Sequence, residues 1–248
     1  MISEEQATQF GELGYFVAEG GFAPALLQVM SEEMDRVYRE HLDQARTGGD
    51  AAAVEAVRNR RSYSQFHLLS PVAAQFVQEP IYQEACRRFV GPDADLYYNQ
   101  AATKPPERGR IFSWHQDSGY VHTEPLEYIT CWTAITDSNL DNGCIWIIPG
   151  SPKWGLLEHI PEPETAERYG GKTAQFADES GAIPVEMRAG QVAIFSSLML
   201  HKSGPNISAD SIRRGFVPQY HVPHLIAKHT GQAWGDQVPV LRGGKRVG

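Results

Sequence analysis

A mainly β sandwich or barrel, preceded by a helical stretch, is the fold class that the sequence predicts. Three observations carry it. Helical spacing of apolar residues is confined to about residues 1–91. Beyond Gly91, short runs rich in β-branched and aromatic residues alternate with Gly, Pro and Asn turns. Asn142-Gly143, the strongest short hairpin signal in the chain, separates two of those runs.

The elements follow in order. Ser3 and Gln6 form a capping-box pair that opens a short helix, which Gly14 stops. Tyr15-Phe16-Val17 reads as a brief strand. Pro24 suits the first position of a helix in which Leu26, Leu27, Met30, Met34, Val37 and Tyr38 recur at helical spacing, fading near Arg46. Residues 47–62 are polar and alanine-rich, with no evident partner for burial. Pro80 opens another helix, and Gly91-Pro92 ends it. The expected strands are 96–102, 111–115, 128–136, 144–148, 183–187, 192–195 and 213–220. Ala189-Gly190 marks a turn. Residues 151–182, with several Pro, Gly and Glu and little apolar pattern, read as a long loop. The tail from 228 onward ends Gly243-Gly244-Lys245-Arg246 and is expected to be loose. No internal repeat is present; 248 residues fit one large domain or two small ones, and because a barrel often runs this long as a single unit, residues 1–248 are expected to form one domain.

Composition narrows the function. The chain is 42% hydrophobic and 21% charged, ordinary for a globular protein. A formal net charge of -8 argues against nucleic acid or an anionic membrane surface as the main partner. No run of 18 apolar residues exists, so no membrane helix is expected. The acidic start, Met1 to Gln6, lacks the apolar stretch of a secretory signal. Cys86, Cys131 and Cys144 are odd in number and lack CxxC spacing, so neither a disulfide framework nor a zinc site is implied. A cytoplasmic location is the simplest expectation.

Chemistry enters at Ser113-Trp114-His115-Gln116-Asp117. On a strand, residues two apart face the same side, so His115 and Asp117 could grip one metal. His-x-Asp alone is a weak signal, and as an isolated pair it reads better as a hydrogen-bonded strand end. His41-Leu42-Asp43 has the same spacing but sits in a predicted helix, where residues two apart diverge by about 200°. His201, after the apolar run 192–200, is the leading third ligand. Two His and one carboxylate leave three positions open, as in non-haem Fe(II) oxygenases. Arg213-Arg214 follow at the start of a strand. A 2-oxoglutarate cosubstrate needs a fixed cation for its far carboxylate, and Arg supplies a bidentate fork. Alternation puts one of the pair inside and the other outside.

Taken together, Trp114-His115-Gln116-Asp117, Trp132-Thr133-Ala134, Asp141-Asn142-Gly143-Cys144, Ile148-Pro149-Gly150-Ser151, His201-Lys202-Ser203-Gly204-Pro205-Asn206 and Arg213-Arg214 resemble the phytanoyl-CoA dioxygenase family. The resemblance runs from about Lys104 to Tyr220, with a weaker echo in the N-terminal helices. It implies a double-stranded β-helix, or jelly roll, at about 92–222, flanked by N-terminal α-helices. It implies His115, Asp117 and His201 as ligands of Fe(II), and Arg213 with Ser203 beside the distal carboxylate of 2-oxoglutarate. Trp132 and Gln100 fall at further cosubstrate positions; for Trp132 plain core packing is the competing reading. Pro152-Lys153 stands where the family often has His after the Pro-Gly-Ser turn. The implied reaction uses O₂ to oxidise a small organic molecule, most simply by hydroxylating a C–H bond, with release of succinate and CO₂.

Halogenase relatives replace the iron carboxylate with a small residue, so Asp117 argues against halogenation. The competing class is a metal-binding jelly roll, either a cupin-like isomerase or a non-catalytic sensor, which has no use for Arg213. Tyr63, Gln65, His67, Tyr120, His122 and Trp146 are candidates for the substrate pocket. Residues 151–182 are expected to cover the site, and their excess of Glu favours a neutral or cationic substrate over a CoA thioester.

Overall fold

The computed structural model describes residues 1–58, 62–106, 111–162 and 171–247. The capping box of Ser3 and Gln6 forms with both hydrogen bonds and opens α1 (Glu4–Leu13), and Gly14 closes it in the left-handed region at φ 81°. β1 (Tyr15–Glu19) follows. Pro24 begins α2 (Pro24–Thr47), which buries Leu27, Met30, Met34, Val37 and Leu42. His41 and Asp43 lie within α2, and His41 Nδ1 pairs with the Val37 carbonyl at 2.8 Å, so this His-x-Asp pair is helical structure. α3 (Ala51–Arg58) occupies part of the polar stretch and packs on α2. β2 (Ser62–Ser64) and α4 (Pro71–Phe76) were not expected. Ser70 caps α4 through Ala73 N and also donates to Glu33 Oε2 at 2.6 Å, tying α4 to α2. α5 (Pro80–Ala85) runs into a π turn, Cys86–Val90, that Gly91 ends.

The strands then wind between two sheets. β3 (Ala94–Lys104) lies in the larger sheet and β4 (Phe112–His115) in the smaller. After the short β5 (Thr123–Glu124), β6 (Ile129–Ala134) returns to the larger sheet and β7 (Ile145–Ile147) to the smaller. β8 (His159–Pro161) and β9 (Lys172–Ala174) pair with each other. β10 (Ile183–Val185), β11 (Gln191–Ser196), β12 (His201–Ser203) and β13 (Arg213–His221) resume the alternation. β14 (Ile226–Ala227) and β15 (Gln232–Ala233) make a small side sheet with β5. β16 (Val238–Arg242) and β17 (Lys245–Arg246) close the chain. The larger sheet is ordered β1-β11-β6-β13-β3-β16-β17, with β2 also on β3; the smaller is β10-β7-β12-β4. All pairings are antiparallel, and this is the double-stranded β-helix.

Strand alternation divides the core. Ile129, Cys131, Ile194, Phe216 and Tyr220 face the helices and pack with Met30, Phe76 and Ile81. Trp132, Ala134, Ala193, Phe195 and Val217 face inward and pack on Ile145, Ile147 and Met199. Full burial of a large aliphatic or Phe side chain such as Ile194, Phe216 or Met199 contributes roughly 1.5–3 kcal/mol.

Three expectations need correction. Asn142-Gly143 does not make a hairpin, because β6 and β7 belong to different sheets. It turns a corner instead: Gly143 has φ 82°, and a Cβ there would meet the Gly204 carbonyl oxygen at 2.5 Å. The tail is not loose. β16 pairs with β3, and Val240 and Leu241 are fully buried. The 151–182 stretch is not structureless, since it holds a 3₁₀ turn at Ser151–Trp154 and the β8–β9 hairpin; its residues 163–170, including Glu164, Glu167 and Arg168, lie outside the described residues.

Candidate metal centre and cosubstrate seat

His115 ends β4, and Gln116 stays extended (φ -110°, ψ 139°) before Asp117 opens a 3₁₀ turn. Alternation therefore persists through Asp117 and puts both side chains on one side. His201 opens β12 directly opposite His115. Their rings lie 4.1 Å apart. Asp117 Oδ1 is 3.7 Å from Nε2 of His115 and 3.7 Å from Nε2 of His201. One ligand atom from each residue lies within 4.8 Å of the others, the one such group among the described residues.

Surrounding groups orient these atoms. His115 Nδ1 donates to the Ser113 carbonyl at 2.8 Å, and His201 Nδ1 to the Met199 carbonyl at 2.9 Å. With the protons there, each Nε2 presents a lone pair toward Asp117. Burial pushes the pKa of His115 well below its usual value, and neighbouring His201 lowers it further. A neutral imidazole is the form that a metal requires. Asp117 Oδ2 accepts from Thr130 Oγ1 at 2.6 Å and from Gln219 Nε2 at 2.9 Å, so Oδ1 is the oxygen left to the histidines. Gln116, buried between the ligands, donates its amide to the Gly155 and Leu198 carbonyls at 2.8 Å each and accepts from Leu157 N at 2.8 Å. Two imidazoles with Nε2 turned to one point and one oriented carboxylate fit Fe(II), with three positions left for other ligands.

A second site lies on the interior face of the larger sheet. Arg213 is buried, and its Nη1 donates to the Gly143 carbonyl at 2.8 Å. Its guanidinium lies 5.2 Å above the Trp132 ring. Nε has no partner, and Arg213 joins no ion pair among the described residues. Burial lowers its pKa to about 10, so it remains charged at neutral pH. Lys104 stands opposite Arg213 in the β3–β13 register, and its Nζ donates to Ser203 Oγ at 2.7 Å and to the Gly204 carbonyl. Gln100 shares the Lys104 face of β3 by alternation. Gly215 leaves room for Trp132, since a Cβ there would meet the ring at 2.5 Å. A buried guanidinium lacking a carboxylate, with an ammonium across the strand pair, fits a carboxylate ligand. Arg214 points the other way and binds both oxygens of Asp35 on α2, at 2.7 and 2.9 Å.

The six expected pocket residues divide. Tyr120 and His122 line a cavity of about 630 Å³. The Tyr120 ring stands edge-on to His115, 5.5 Å between centroids. Tyr63 packs in the helix-side core. Gln65 and His67 turn to Asp236, with Gln65 Nε2 to Oδ1 at 2.6 Å. Trp146 lies on the outer face of the smaller sheet, near Lys202. Sequence reasoning missed Gln219, Thr130, Lys104 and Gln116. Arg213, Gly215, Val217 and Gln219 share one face of β13, so period-two counting from Arg213 reaches Gln219. No local signal marks Thr130.

The phytanoyl-CoA dioxygenase (PhyH) family model matches residues 10–215. Ectoine dioxygenase of Bordetella bronchiseptica is 26% identical over 223 residues, covering 84% of this chain and 71% of that protein. Phytanoyl-CoA dioxygenase domain-containing protein 1 of Danio rerio is 21% identical, covering 84% and 86%. Among solved structures, the non-haem monooxygenase ThoJ superposes with a TM-score of 0.70 at 25% identity, covering 90% of this chain and 79% of that one. EctD from S. alaskensis, solved with 2-oxoglutarate and 5-hydroxyectoine, shares the fold at a TM-score of 0.63 and 22% identity, covering 89% and 76%. A family match spanning most of the jelly roll, with its His, Asp and His brought to one point, has one reading: the chain belongs to the phytanoyl-CoA dioxygenase family and is a non-haem Fe(II)- and 2-oxoglutarate-dependent dioxygenase.

Proposed function

We propose that His115, Asp117 and His201 hold the iron, and that Arg213, with Lys104, Ser203, Trp132 and Gln100 around it, seats 2-oxoglutarate. The reaction is hydroxylation of a C–H bond in a small organic molecule, with release of succinate and CO₂. The convergence of two Nε2 atoms and Asp117 Oδ1 carries this reading. Bound iron supplies the O₂-activating redox chemistry that couples decarboxylation of 2-oxoglutarate to oxidation of the substrate.

The protein's part is positioning. Ser113 and Met199 carbonyls accept from the two Nδ1 atoms and so aim each Nε2 at the centre. Thr130 and Gln219 hold Asp117 in one rotamer. The Arg213 guanidinium, desolvated above Trp132, binds the distal carboxylate more strongly than a solvated one could. We read the chain as one catalytic domain, with the C-terminal strand β16 sealing the β3 edge.

Two measurements test the proposal together. Protein supplied with Fe(II), 2-oxoglutarate and ascorbate under air should form succinate, and His201→Ala should abolish it. Titration of 2-oxoglutarate without O₂ should show binding that Arg213→Gln weakens. A protein that binds metal but neither binds nor consumes 2-oxoglutarate would instead be a metal-binding jelly roll of the isomerase or sensor kind.

A further inference from the structure

The cavity beside the metal ligands contrasts with the rest of the molecule. The chain carries a formal net charge of -8, yet this cavity is lined by two ammonium groups, Lys172 and Lys228, against one acid, Glu158, with the rings of His122, His159 and His229 beside them. Neither Lys172 nor Lys228 joins a carboxylate among the described residues. Lys172 Nζ donates to the carbonyls of Gly119 at 3.1 Å and Tyr120 at 2.9 Å, which fixes the ammonium at the wall without neutralising it. An ammonium with three donors has one left after those two bonds.

The cavity is tied to the metal centre through its wall. Tyr120 separates it from His115. His159 Nε2 accepts from Gln116 N at 2.9 Å, in the peptide between the two ligands of the His-x-Asp pair. Of the described acids of the 151–182 stretch, Glu158 lines the cavity and the others are bonded to other groups. Glu162 is bonded to Ser113, and Glu179 to Trp114 and Lys202. The expectation of a neutral or cationic substrate rests on the acid count of that stretch, whereas the described lining of the cavity holds two lysines and one glutamate.

We propose that this cavity is the anchoring subsite for the substrate and takes a small anion: a carboxylate, sulfate or phosphate group that the substrate carries. The proposal rests on the metal reading above, because Tyr120 and Gln116 relate the cavity to the reacting centre. An anion held by Lys228 and the free donor of Lys172 leaves the remainder of a small molecule to extend past Tyr120 toward His115. Two ammonium groups at one mouth of an acidic molecule also concentrate anions there.

The test uses protein loaded with Zn(II), which is diamagnetic and redox-inert, and saturated with 2-oxoglutarate. Inorganic sulfate is titrated while the imidazole resonances of His122 and His229 are followed by NMR. The expected result is a saturable shift of both that weakens by about tenfold or more in Lys228→Glu and is unchanged in Lys245→Glu. A shift that does not saturate, or that is equal in the two variants, overturns the proposal. Sulfate binding seen only without 2-oxoglutarate also overturns it, because the cavity would then serve the cosubstrate. Failure of 2-oxoglutarate itself to bind, with sulfate still saturating, sinks the cosubstrate assignment of Arg213 and leaves the anion subsite standing.

Discussion

Gln219 donates its side-chain amide to Asp117 Oδ2 at 2.9 Å, from a strand 102 residues further along the chain. The same amide lies 3.2 Å from Thr130 Oγ1, which also donates to Asp117 Oδ2. These bonds aim the carboxylate that faces both histidines. Gln219→Leu should keep the fold and weaken Fe(II) binding by about 10–100-fold. Calorimetric titration of Fe(II) without O₂ measures it. Affinity equal to the wild type would mean that Asp117 is positioned by its turn alone.

Arg213 and Arg214 are neighbours whose side chains point opposite ways, one to the Gly143 carbonyl and the other to Asp35. Losing the buried guanidinium at Arg213 should cost about 2–5 kcal/mol in 2-oxoglutarate binding. Arg214→Gln breaks the pair with Asp35, whose carboxylate is half exposed, so it should cost no more than about 1 kcal/mol of stability and leave cosubstrate binding unchanged. Dissociation constants and urea midpoints of the two variants separate these effects. Reversed effects would place the cosubstrate outside the barrel.

The two arginines also show what the sequence made legible. Period-two alternation assigns one of them inward from local pattern alone, and His115, Asp117 and His201 follow from the same rule and motif order. Pairings between distant segments were not legible. Asn142-Gly143 signals a reversal of the chain, but nothing local says that the next strand joins another sheet. Ser70-Pro71 opens a helix of six residues, too short to display a period. Thr130 supports the site through a contact 13 residues away, and a threonine in a strand is ordinary.

His221 gives a pH dependence with a defined sign. It is buried on β13, edge-on to Tyr97 at 5.7 Å. Burial lowers its pKa, opposed by the adjacent Val222 backbone and by Asp95. The unfolded chain therefore takes up more protons than the folded one as pH falls below about 6.5. The stability contributed is present above that value and is lost as pH falls through it. The urea midpoint should drop between about pH 7.5 and pH 5.5, and His221→Phe should shallow that drop. An unchanged slope in the variant would assign the effect to other groups.

The C-terminal strand should be a structural requirement rather than an appendage. β16 pairs through Val238 and Leu241 with Leu96 and Ala94 at the start of β3, and β17 folds back on it. Val240 and Leu241 are fully buried in the helix-side core beside Leu96 and Tyr220. Arg242 is ion-paired with buried Asp95 at 2.6 Å. Leu241→Ala should cost about 2–5 kcal/mol, the transfer loss of a buried leucine plus its cavity. Deleting residues from 238 onward should cost more. It uncovers the β3 edge next to apolar side chains, and an open edge of that kind pairs with other chains. Lys245→Ala, on the exposed return strand, should stay within about 0.5 kcal/mol of wild type. Urea unfolding of the three variants, with light scattering for aggregation, measures these effects. If the truncated chain were soluble, monomeric and unchanged in midpoint, the strand would be dispensable and the β3 edge would be protected by β2 alone.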